Sequence, residues 1–312
     1  MKTITLSPSI ESESEQDQKW IGKGAKPEDC ELIYTNRESI KVLKSNGDVL
    51  CVLLKGVMDP VLTKKYYNCI SKTGAIKKTD NRGMATGVQL ENRVKKDGTI
   101  SNTWKAPKGM EVESSIVGYF DRYPRTNYCR KTAWYQDHPQ YVPVVEEYAE
   151  AVDFLYKKNA PLDYNEQRKI ANKTSPDFIM GGSVFTTITI NRNFKTHYHR
   201  DAGNLHVGLA AMSLIKTGKY SGGEVVFPNY RIAVKLEQFD LIIFDNIEIH
   251  GNLPIVGLGD YERITSVFFY RENMIYCGTA EQELERAKRN KGDQIIGPTT
   301  EDLNNGQFCK ED

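Results

Sequence analysis

T-H-Y-H-R-D, from Thr196 to Asp201, opens the stretch of sequence that decides the fold, and the stretch ends at Tyr270. It continues through S-G-G-E-V-V-F-P (Ser221 to Pro228), D-L-I-I-F-D (Asp240 to Asp245) and I-H-G-N (Ile249 to Asn252), and closes on Y-E-R-I-T-S-V-F-F-Y. Short apolar runs separated by turn residues predict β-strands. We therefore place the core of the fold here and work outward from it.

Six such runs follow residue 181. They are Ser183 to Asn191, Val207 to Ile215, Glu224 to Pro228, Arg231 to Val234, Leu241 to Phe244 and Ile264 to Tyr270. Several short strands at close spacing favour a sandwich or jelly roll. The predicted fold class is α+β, with a double-stranded β-helix (jelly roll) core and supporting N-terminal helices.

The N-terminal half carries signals of a supporting layer. Asn46-Gly47 between two apolar runs predicts a β-hairpin, and Asp59-Pro60 predicts the start of a helix that ends near Gly74. Val142 to Lys158 has a helical apolar stripe that includes Phe154. The charged run Ala280 to Asn290 predicts a last helix. The stretch 75–112 lacks periodicity and predicts long loops with short strands.

These signals predict one domain between two flexible tails. The tails are residues 1–28 and 291–312, and the domain is residues 29–290, with hairpin and helix support over 29–180 and the jelly-roll core over 181–275. The polar segment Met1 to Gln18 lacks the apolar stretch of a signal peptide.

Composition narrows the class of protein. A formal net charge of +1 gives no global basic field of the kind many nucleic-acid binders use, although local patches remain possible. No apolar run is long enough to span a membrane. The six cysteines show no C-x-x-C pair, so we expect free thiols, no zinc site and an intracellular protein.

His199 and Asp201 are candidate metal ligands. Residues two apart on an extended segment share one face, so one ion can take both side chains. His250 follows 51 residues later, directly before Gly251. A His-x-Asp pair with a distant His is the ligand set of a facial triad, which holds non-haem Fe(II) and leaves positions open for O2 and a co-substrate.

Two nearby histidines compete for roles at this site. His197 lacks a carboxylate two residues on, so we assign it a supporting role, and we expect His206 to pack or hydrogen-bond near the site. Arg263 comes 13 residues after His250 on the last predicted strand. There it is placed to bind the distal carboxylate of 2-oxoglutarate through a bidentate, charge-assisted pair. The competing interpretation is a metal-free jelly roll with structural histidines.

The stretch from Ser114 to Tyr135 mixes cations with aromatic rings. Such a mixture suits a surface on which bases stack and phosphates pair. It suits equally a strand and loop with core aromatics and solvated arginines. Both interpretations stay open.

The run F-T-T-I-T-I-N-R-N-F-K-T-H-Y-H-R-D-A-G-N, together with the motifs quoted above and H-G-N-L-P-I and E-R-I-T-S-V-F-F-Y-R, resembles the TET/JBP family of Fe(II)/2-oxoglutarate dioxygenases. The upstream G-Y-F-D-R and C-R-K-T-A-W also resemble this family. The likeness covers roughly residues 114–280 and is closer to base J and phage-type members than to animal TET enzymes. It implies oxidation of the 5-methyl group of thymine or 5-methylcytosine in nucleic acid.

The resemblance implies a role for each matching residue. The iron ligands would be His199, Asp201 and His250, and Arg263 would bind 2-oxoglutarate. Asn204 would contact the base and Phe269 would stack on it. Arg271 lies where animal enzymes place a histidine that contacts 5-methylcytosine, which favours thymine.

The predicted function is therefore Fe(II)-, 2-oxoglutarate- and O2-dependent hydroxylation of a pyrimidine methyl group, with DNA as the partner. Two alternatives differ in class. One is a 2-oxoglutarate hydroxylase of a free nucleotide, amino acid or protein side chain, and the other is a non-catalytic jelly-roll binding module. No membrane association and no protein partner are inferred.

Overall fold

A computed structural model describes residues 1–80, 82–87, 110–122 and 126–289. Six helices occur in this part of the chain: α1 Glu13–Trp20, α2 Pro60–Ser71, α3 Ala133–Asp137, α4 Val142–Asn159, α5 Pro161–Ala171 and α6 Ala280–Arg289. The strands over the same ranges are β1 Lys2–Leu6, β2 Leu32–Tyr34, β3 Ile40–Lys44, β4 Val49–Leu54, β5 Lys78–Thr79, β6 Val112–Phe120, β7 Arg130–Lys131, β8 Thr187–Arg192, β9 Ala210–Ser221, β10 Val225–Phe227, β11 Ile232–Val234, β12 Leu241–Phe244, β13 Gly251–Asn252 and β14 Val256–Phe269.

The strands form a large and a small sheet. The large sheet runs β1-β3-β4-β12-β9-β14-β8-β6-β5, with β7 paired to β6, and the small sheet runs β13-β10-β11-β2. Neighbours in the middle of the large sheet, from β4 to β6, are antiparallel. The fold class is confirmed as α+β with a jelly-roll core. Strands of the predicted support layer hydrogen-bond directly to core strands, so both parts share one sheet.

Local sequence accounts for the elements that flank the core. The predicted hairpin is confirmed, since β3 and β4 pair antiparallel on either side of Gly47, whose φ of 91° suits glycine. The predicted start of α2 is also confirmed. Asp59 caps it by accepting a hydrogen bond from the Leu62 amide at 2.7 Å, and Pro60 occupies the first helical position.

Helices α2 and α4 cover one face of the large sheet. Tyr66 of α2 stacks on Tyr148 of α4 with ring centroids 4.1 Å apart, and its hydroxyl donates to Ser266 of β14 at 2.9 Å. The prediction that Phe154 belongs to the buried apolar stripe of α4 is wrong, since this residue is 64% exposed. No helix of the described residues has the length and apolarity required to cross a membrane.

Residues 1–28 do not form the predicted flexible tail. β1 pairs parallel with β3 at the edge of the large sheet, and α1 packs on the core through buried Gln16 and Trp20. Polar composition suggests a tail here, but composition does not reveal a strand that is held by backbone pairing or a helix that is held by a few specific side chains. The predicted C-terminal tail, residues 291–312, lies outside the described residues.

The expectation of free thiols is wrong for two cysteines. Cys129 and Cys277 form a buried disulfide with a Cα–Cα distance of 5.8 Å. They are 148 residues apart, and only the tertiary fold brings them together. Beside the bridge, Glu283 of α6 pairs with buried Arg122 and accepts from the Cys129 amide at 2.7 Å. Cys30, Cys51 and Cys69 are free, and Cys309 lies outside the described part of the chain.

Reduction of this disulfide is expected to lower the melting temperature by about 5 to 15 °C. The bridge closes a long loop, and such native bridges contribute about 2 to 5 kcal/mol to the free energy of unfolding. Calorimetry with and without dithiothreitol measures the shift. The double variant Cys129→Ser/Cys277→Ser should melt at the temperature of the reduced protein, and dithiothreitol should not change its melting temperature. An equal response to reductant in the double variant would contradict the assignment.

Candidate active site

Two chain segments bring the three predicted metal ligands together. His199 and His250 form an antiparallel bridge in which each amide donates to the other's carbonyl at 3.0 Å. Their Nε2 atoms lie 3.5 and 3.9 Å from the Asp201 carboxylate oxygens. One ligand atom from each residue lies within 4.8 Å of the others. This spacing allows a single ion to bind all three side chains.

Both imidazoles are oriented by backbone carbonyls. Nδ1 of His199 is 2.8 Å from the His197 carbonyl oxygen, and Nδ1 of His250 is 2.9 Å from that of Glu248. When Nδ1 carries the proton, it donates to the carbonyl and Nε2 keeps a lone pair directed at the common centre. The donor set is thus prepared for a divalent metal ion.

The electrostatics of the cluster favour a charged carboxylate. Burial raises the pKa of Asp201, but the His199 hydrogen bond and the charges of His250 and Arg82 outweigh burial and lower it. Burial lowers the pKa of His250, and the charge of His199 lowers it further. Burial lowers the pKa of His199, but the hydrogen bond to Asp201 and the charge of Asp201 outweigh burial and raise it. Metal binding to the ionised Asp201 and the neutral His250 would therefore displace a proton from His199.

The ligands open onto a cavity of about 170 Å³ between the two sheets. Alternate residues of β14 face it, because side chains two apart on a strand share a face. The lining of β14 consists of Arg263, Thr265, Val267 and Phe269. Met212, Val225 and Phe244 add an apolar wall. The cavity lining therefore combines polar and charged side chains with apolar ones.

Arg263 lines the same cavity and is only 4% exposed. Its guanidinium donates to the Gly223 carbonyl at 3.0 Å, while its Nε has no hydrogen-bond partner in the described part of the protein. Burial lowers the pKa of Arg263, and Tyr220 and Glu224 partly offset this effect. A buried cation lacking a full set of acceptors is costly, so an anionic ligand in the cavity would be stabilised here.

The Gly-Gly-Glu turn makes room for this arginine. A Cβ on Gly223 would lie 3.0 Å from the Arg263 Nε, and one on Gly222 would lie 1.8 Å from the Pro254 carbonyl oxygen. Both glycines have positive φ, 79° and 78°. The turn motif therefore contributes close backbone approach to the arginine.

The three residues predicted to contact a base all line the cavity. Asn204 is buried, and its side-chain amide donates to Asp201 at 3.4 Å. Phe269 is 7% exposed on β14. Arg271 donates from Nε to buried Asp121 at 2.7 Å, and its backbone bridges to Asn204. Their roles toward a substrate remain predictions.

The other two histidines of this region lie outside the ligand cluster. His197 packs its ring against Gly24 and Gly87, and its amide donates to the Ala85 carbonyl at 2.8 Å. This placement agrees with a supporting role. His206 is exposed and does not line the cavity, and its expected packing or hydrogen bonding near the site stays a prediction.

Sequence reasoning missed Arg82 and Asn191 in the cavity wall. Arg82 donates to Ser114 at 2.9 Å, and Ser114 donates to Asn191 at 2.6 Å. Burial lowers the pKa of Arg82, against the charge of Asp201. Arg82 falls in the aperiodic stretch 75–112, where no pattern singles it out. Asn191 could have been found, because it sits on a predicted strand two residues from Thr189, which also faces the cavity.

The basic and aromatic stretch from Ser114 to Tyr135 contains some residues that belong to the core and others that suit a nucleic-acid-binding surface. Tyr119, Trp134 and Tyr135 are core residues, and Arg122 is buried in its pair with Glu283. Two guanidinium groups lie close to the Phe120 ring, that of Arg130 at 4.8 Å and that of Arg271 at 5.7 Å from its centroid. Residues 123–125 lie outside the described ranges.

Comparison with known proteins agrees with this geometry. Residues 115–272 match the model of the Tet_JBP family, described as the oxygenase domain of the 2OGFeDO superfamily. In overall structure the chain is similar to NgTET1 in complex with 5mC DNA, with a TM-score of 0.53 and 12% identity over 86% of this chain and 88% of that one. The likeness to NgTET1 concerns the fold alone.

Curated relatives share part of their length with this chain. Thymine dioxygenase JBP1 of Leishmania braziliensis is 29% identical over 61% of this chain and 24% of its own length. The bifunctional helicase and thymine dioxygenase JBP2 of Trypanosoma brucei brucei is 31% identical over 57% of this chain and 16% of its own length. The matched region thus spans a quarter or less of either relative.

Proposed function

The chain belongs to the Tet_JBP family, the oxygenase domain of the 2OGFeDO superfamily, and from this premise we propose that it is an Fe(II)- and 2-oxoglutarate-dependent dioxygenase. Its proposed substrate is the 5-methyl group of a pyrimidine in DNA, and thymine is favoured over 5-methylcytosine. The observation that carries the proposal is the cluster of His199, Asp201 and His250 on a cavity that also holds buried Arg263.

The donor set fits iron of the non-haem type. Two imidazoles and one carboxylate leave the remaining positions of the metal open. Iron bound there, with 2-oxoglutarate and O2, would supply the oxidising chemistry that hydroxylates a methyl group as 2-oxoglutarate is converted to succinate and CO2. The chain itself holds both imidazoles with Nε2 directed at the centre, through the carbonyls of His197 and Glu248.

Arg263 is the proposed anchor of 2-oxoglutarate. Its guanidinium is buried, its Nε lacks a partner among the described residues, and it shares the cavity with the ligand cluster. A carboxylate bound there would accept charge-assisted hydrogen bonds and relieve the cost of burying the cation. This contact would orient the co-substrate before any substrate arrives.

Asn204, Phe269 and Arg271 are proposed to receive the base. A methyl group inside a duplex cannot reach the cavity, so the base must be flipped out or presented on a single strand. Phe269 offers a ring for stacking. Arg271 only donates hydrogen bonds, which suits the O4 acceptor of thymine better than the N4 amino group of cytosine. The two curated relatives are thymine dioxygenases, which supports the same choice.

The apolar wall has a part in this mechanism. Val267, Phe244 and Met212 line the same cavity as the ligand cluster, and they would shield the reacting methyl group from water. Asp121 fixes the direction of the Arg271 guanidinium through a 2.7 Å hydrogen bond, so the base-contacting end is held before binding. The chain thus provides orientation and a dry site.

Succinate formation with different methyl-bearing substrates tests the substrate class. With Fe(II) and 2-oxoglutarate present, thymine-containing DNA should stimulate succinate formation well above the rate without substrate. Free thymidine, thymidine triphosphate and DNA with uracil in place of thymine are the matched controls. Stimulation by a free nucleotide alone would favour the hydroxylase of small molecules. No iron-dependent consumption of 2-oxoglutarate under any condition would favour a binding module.

A further inference from the structure

We infer that α1 is a positioning element of the metal site and acts on the ligand segments through Arg200. This inference rests on the proposed function, since it concerns how the ligands of a bound metal are held. Residues 13–29 lie outside the region that matches the family model. Their contacts nevertheless converge on the segment between Thr196 and Asp201.

The ligand segment has two faces. His199 and Asp201 face the cavity, while Tyr198 and Arg200 point to the opposite side, toward α1. Tyr198 is fully buried there, with its ring edge-on to Trp20 at 5.6 Å and its hydroxyl donating to Asp29 at 2.8 Å. The outward face is therefore covered by the N-terminal segment.

The backbone joins the same elements. The Gly22 amide donates to the Tyr198 carbonyl at 2.8 Å, and the Tyr198 amide donates to the Lys23 carbonyl at 2.9 Å. This pairing lies one residue from His199. The residues that follow α1 thus form an additional strand-like partner for the ligand segment on the side opposite the His250 segment.

Arg200 connects α1 with both ligand segments. Its Nε donates to Asp17 at 3.1 Å and one terminal nitrogen donates to the Gln16 side chain at 3.2 Å. The other terminal nitrogen donates to the Ile247 carbonyl at 2.7 Å, three residues before His250. A planar fork with fixed donor directions suits such a bridge better than a flexible ammonium group. One side chain, set between His199 and Asp201, therefore ties the two segments to the helix.

The bridge predicts an effect on metal binding that exceeds its effect on stability. Asp17 is half-exposed, with 46% of its side chain accessible, and exposed ion pairs contribute little to the free energy of unfolding. Metal affinity depends more steeply on ligand orientation, and loss of groups that hold the ligands typically weakens it about 10- to 100-fold.

The test is a titration of the 312-residue protein with Co(II), monitored through the visible absorption bands of the bound metal. Gln16→Ala/Asp17→Ala should weaken Co(II) binding about tenfold. Glu15→Ala is the matched control, because Glu15 is an exposed acidic residue of the same helix without a contact to Arg200. Arg200→Lys, which keeps the charge and loses the fork, should resemble the double variant. Excess Fe(II) should restore succinate formation by both variants.

The outcomes separate this inference from the proposed function. The positioning role of α1 is refuted if the double variant binds Co(II) as tightly as the wild type, or if Arg200→Lys behaves as the wild type. Either result leaves the proposed metal site unaffected. If the wild type binds no Co(II), both the positioning role and the proposed metal site are refuted. Should the double variant fail to fold, Asp17→Asn keeps the side-chain volume and carries the same test, with the melting temperature of the metal-free protein as the check on folding.

Discussion

Replacement of His199 or Asp201 by alanine is expected to reduce iron-dependent succinate formation to background. Each change removes one of three ligands whose donor atoms lie within 4.8 Å of one another, and two remaining ligands hold a divalent ion far more weakly. The fold should survive. His199 keeps its backbone bridge to His250 whatever its side chain, and residue 201 keeps the hydrogen bond from its amide to the Asn246 carbonyl at 3.2 Å.

The matched control is His206→Ala, the same chemical change at an exposed position seven residues from His199. Its succinate formation and Co(II) affinity should equal those of the wild type. Circular dichroism of each variant reports on the fold. Full turnover in His199→Ala or Asp201→Ala would remove the triad assignment, as would equal losses in all three variants.

Replacement of Arg263 by glutamine should raise the KM for 2-oxoglutarate about 10- to 100-fold, since a hydrogen bond to a charged partner contributes about 1.5 to 3 kcal/mol. The kcat should change less, because the carboxylate contact is present in both the ground state and the transition state. Arg263→Lys should lie between the two, as lysine keeps the charge and lacks the bidentate geometry. Steady-state kinetics with varied 2-oxoglutarate measures both constants.

Arg231→Gln serves as the control for Arg263. Arg231 pairs with Glu31 at 3.1 Å and half of its side chain is exposed, so its loss should leave the KM unchanged. Melting temperatures distinguish lost binding from lost structure, because Arg263 is buried and its replacement also leaves the Gly223 carbonyl without its donor. A KM for 2-oxoglutarate unchanged in both Arg263 variants would show that the anchor lies elsewhere.

Part of the site follows from strand periodicity, because His199 and Asp201 are two apart and therefore share one face. Phe269 and Arg271 were implied only by the resemblance to the family, and their even spacing from Arg263 fits a shared face. The structure agrees, since all five line the cavity. The pairing of His250 with His199 required the resemblance to a family as well, because a distance of 51 residues along the chain carries no geometric information.

The parts that sequence did not predict depend on tertiary contacts. Arg82 reaches the cavity from an aperiodic stretch, and the partners that hold Arg200 sit in a segment whose polar composition resembles a tail. The Cys129–Cys277 bridge has no spacing motif. In each case a few polar or covalent contacts between distant residues decide the placement, and local periodicity does not report such contacts.

The proposed activity is tested most directly by analysis of the nucleosides of treated DNA. The protein is incubated with Fe(II), ascorbate, 2-oxoglutarate and duplex or single-stranded DNA that contains thymine with or without 5-methylcytosine, and the digested nucleosides are examined by mass spectrometry. We predict 5-hydroxymethyluracil, formed in proportion to succinate and absent with Asp201→Ala. Iron-dependent consumption of 2-oxoglutarate without any oxidised pyrimidine in any of these DNA samples would contradict the proposal.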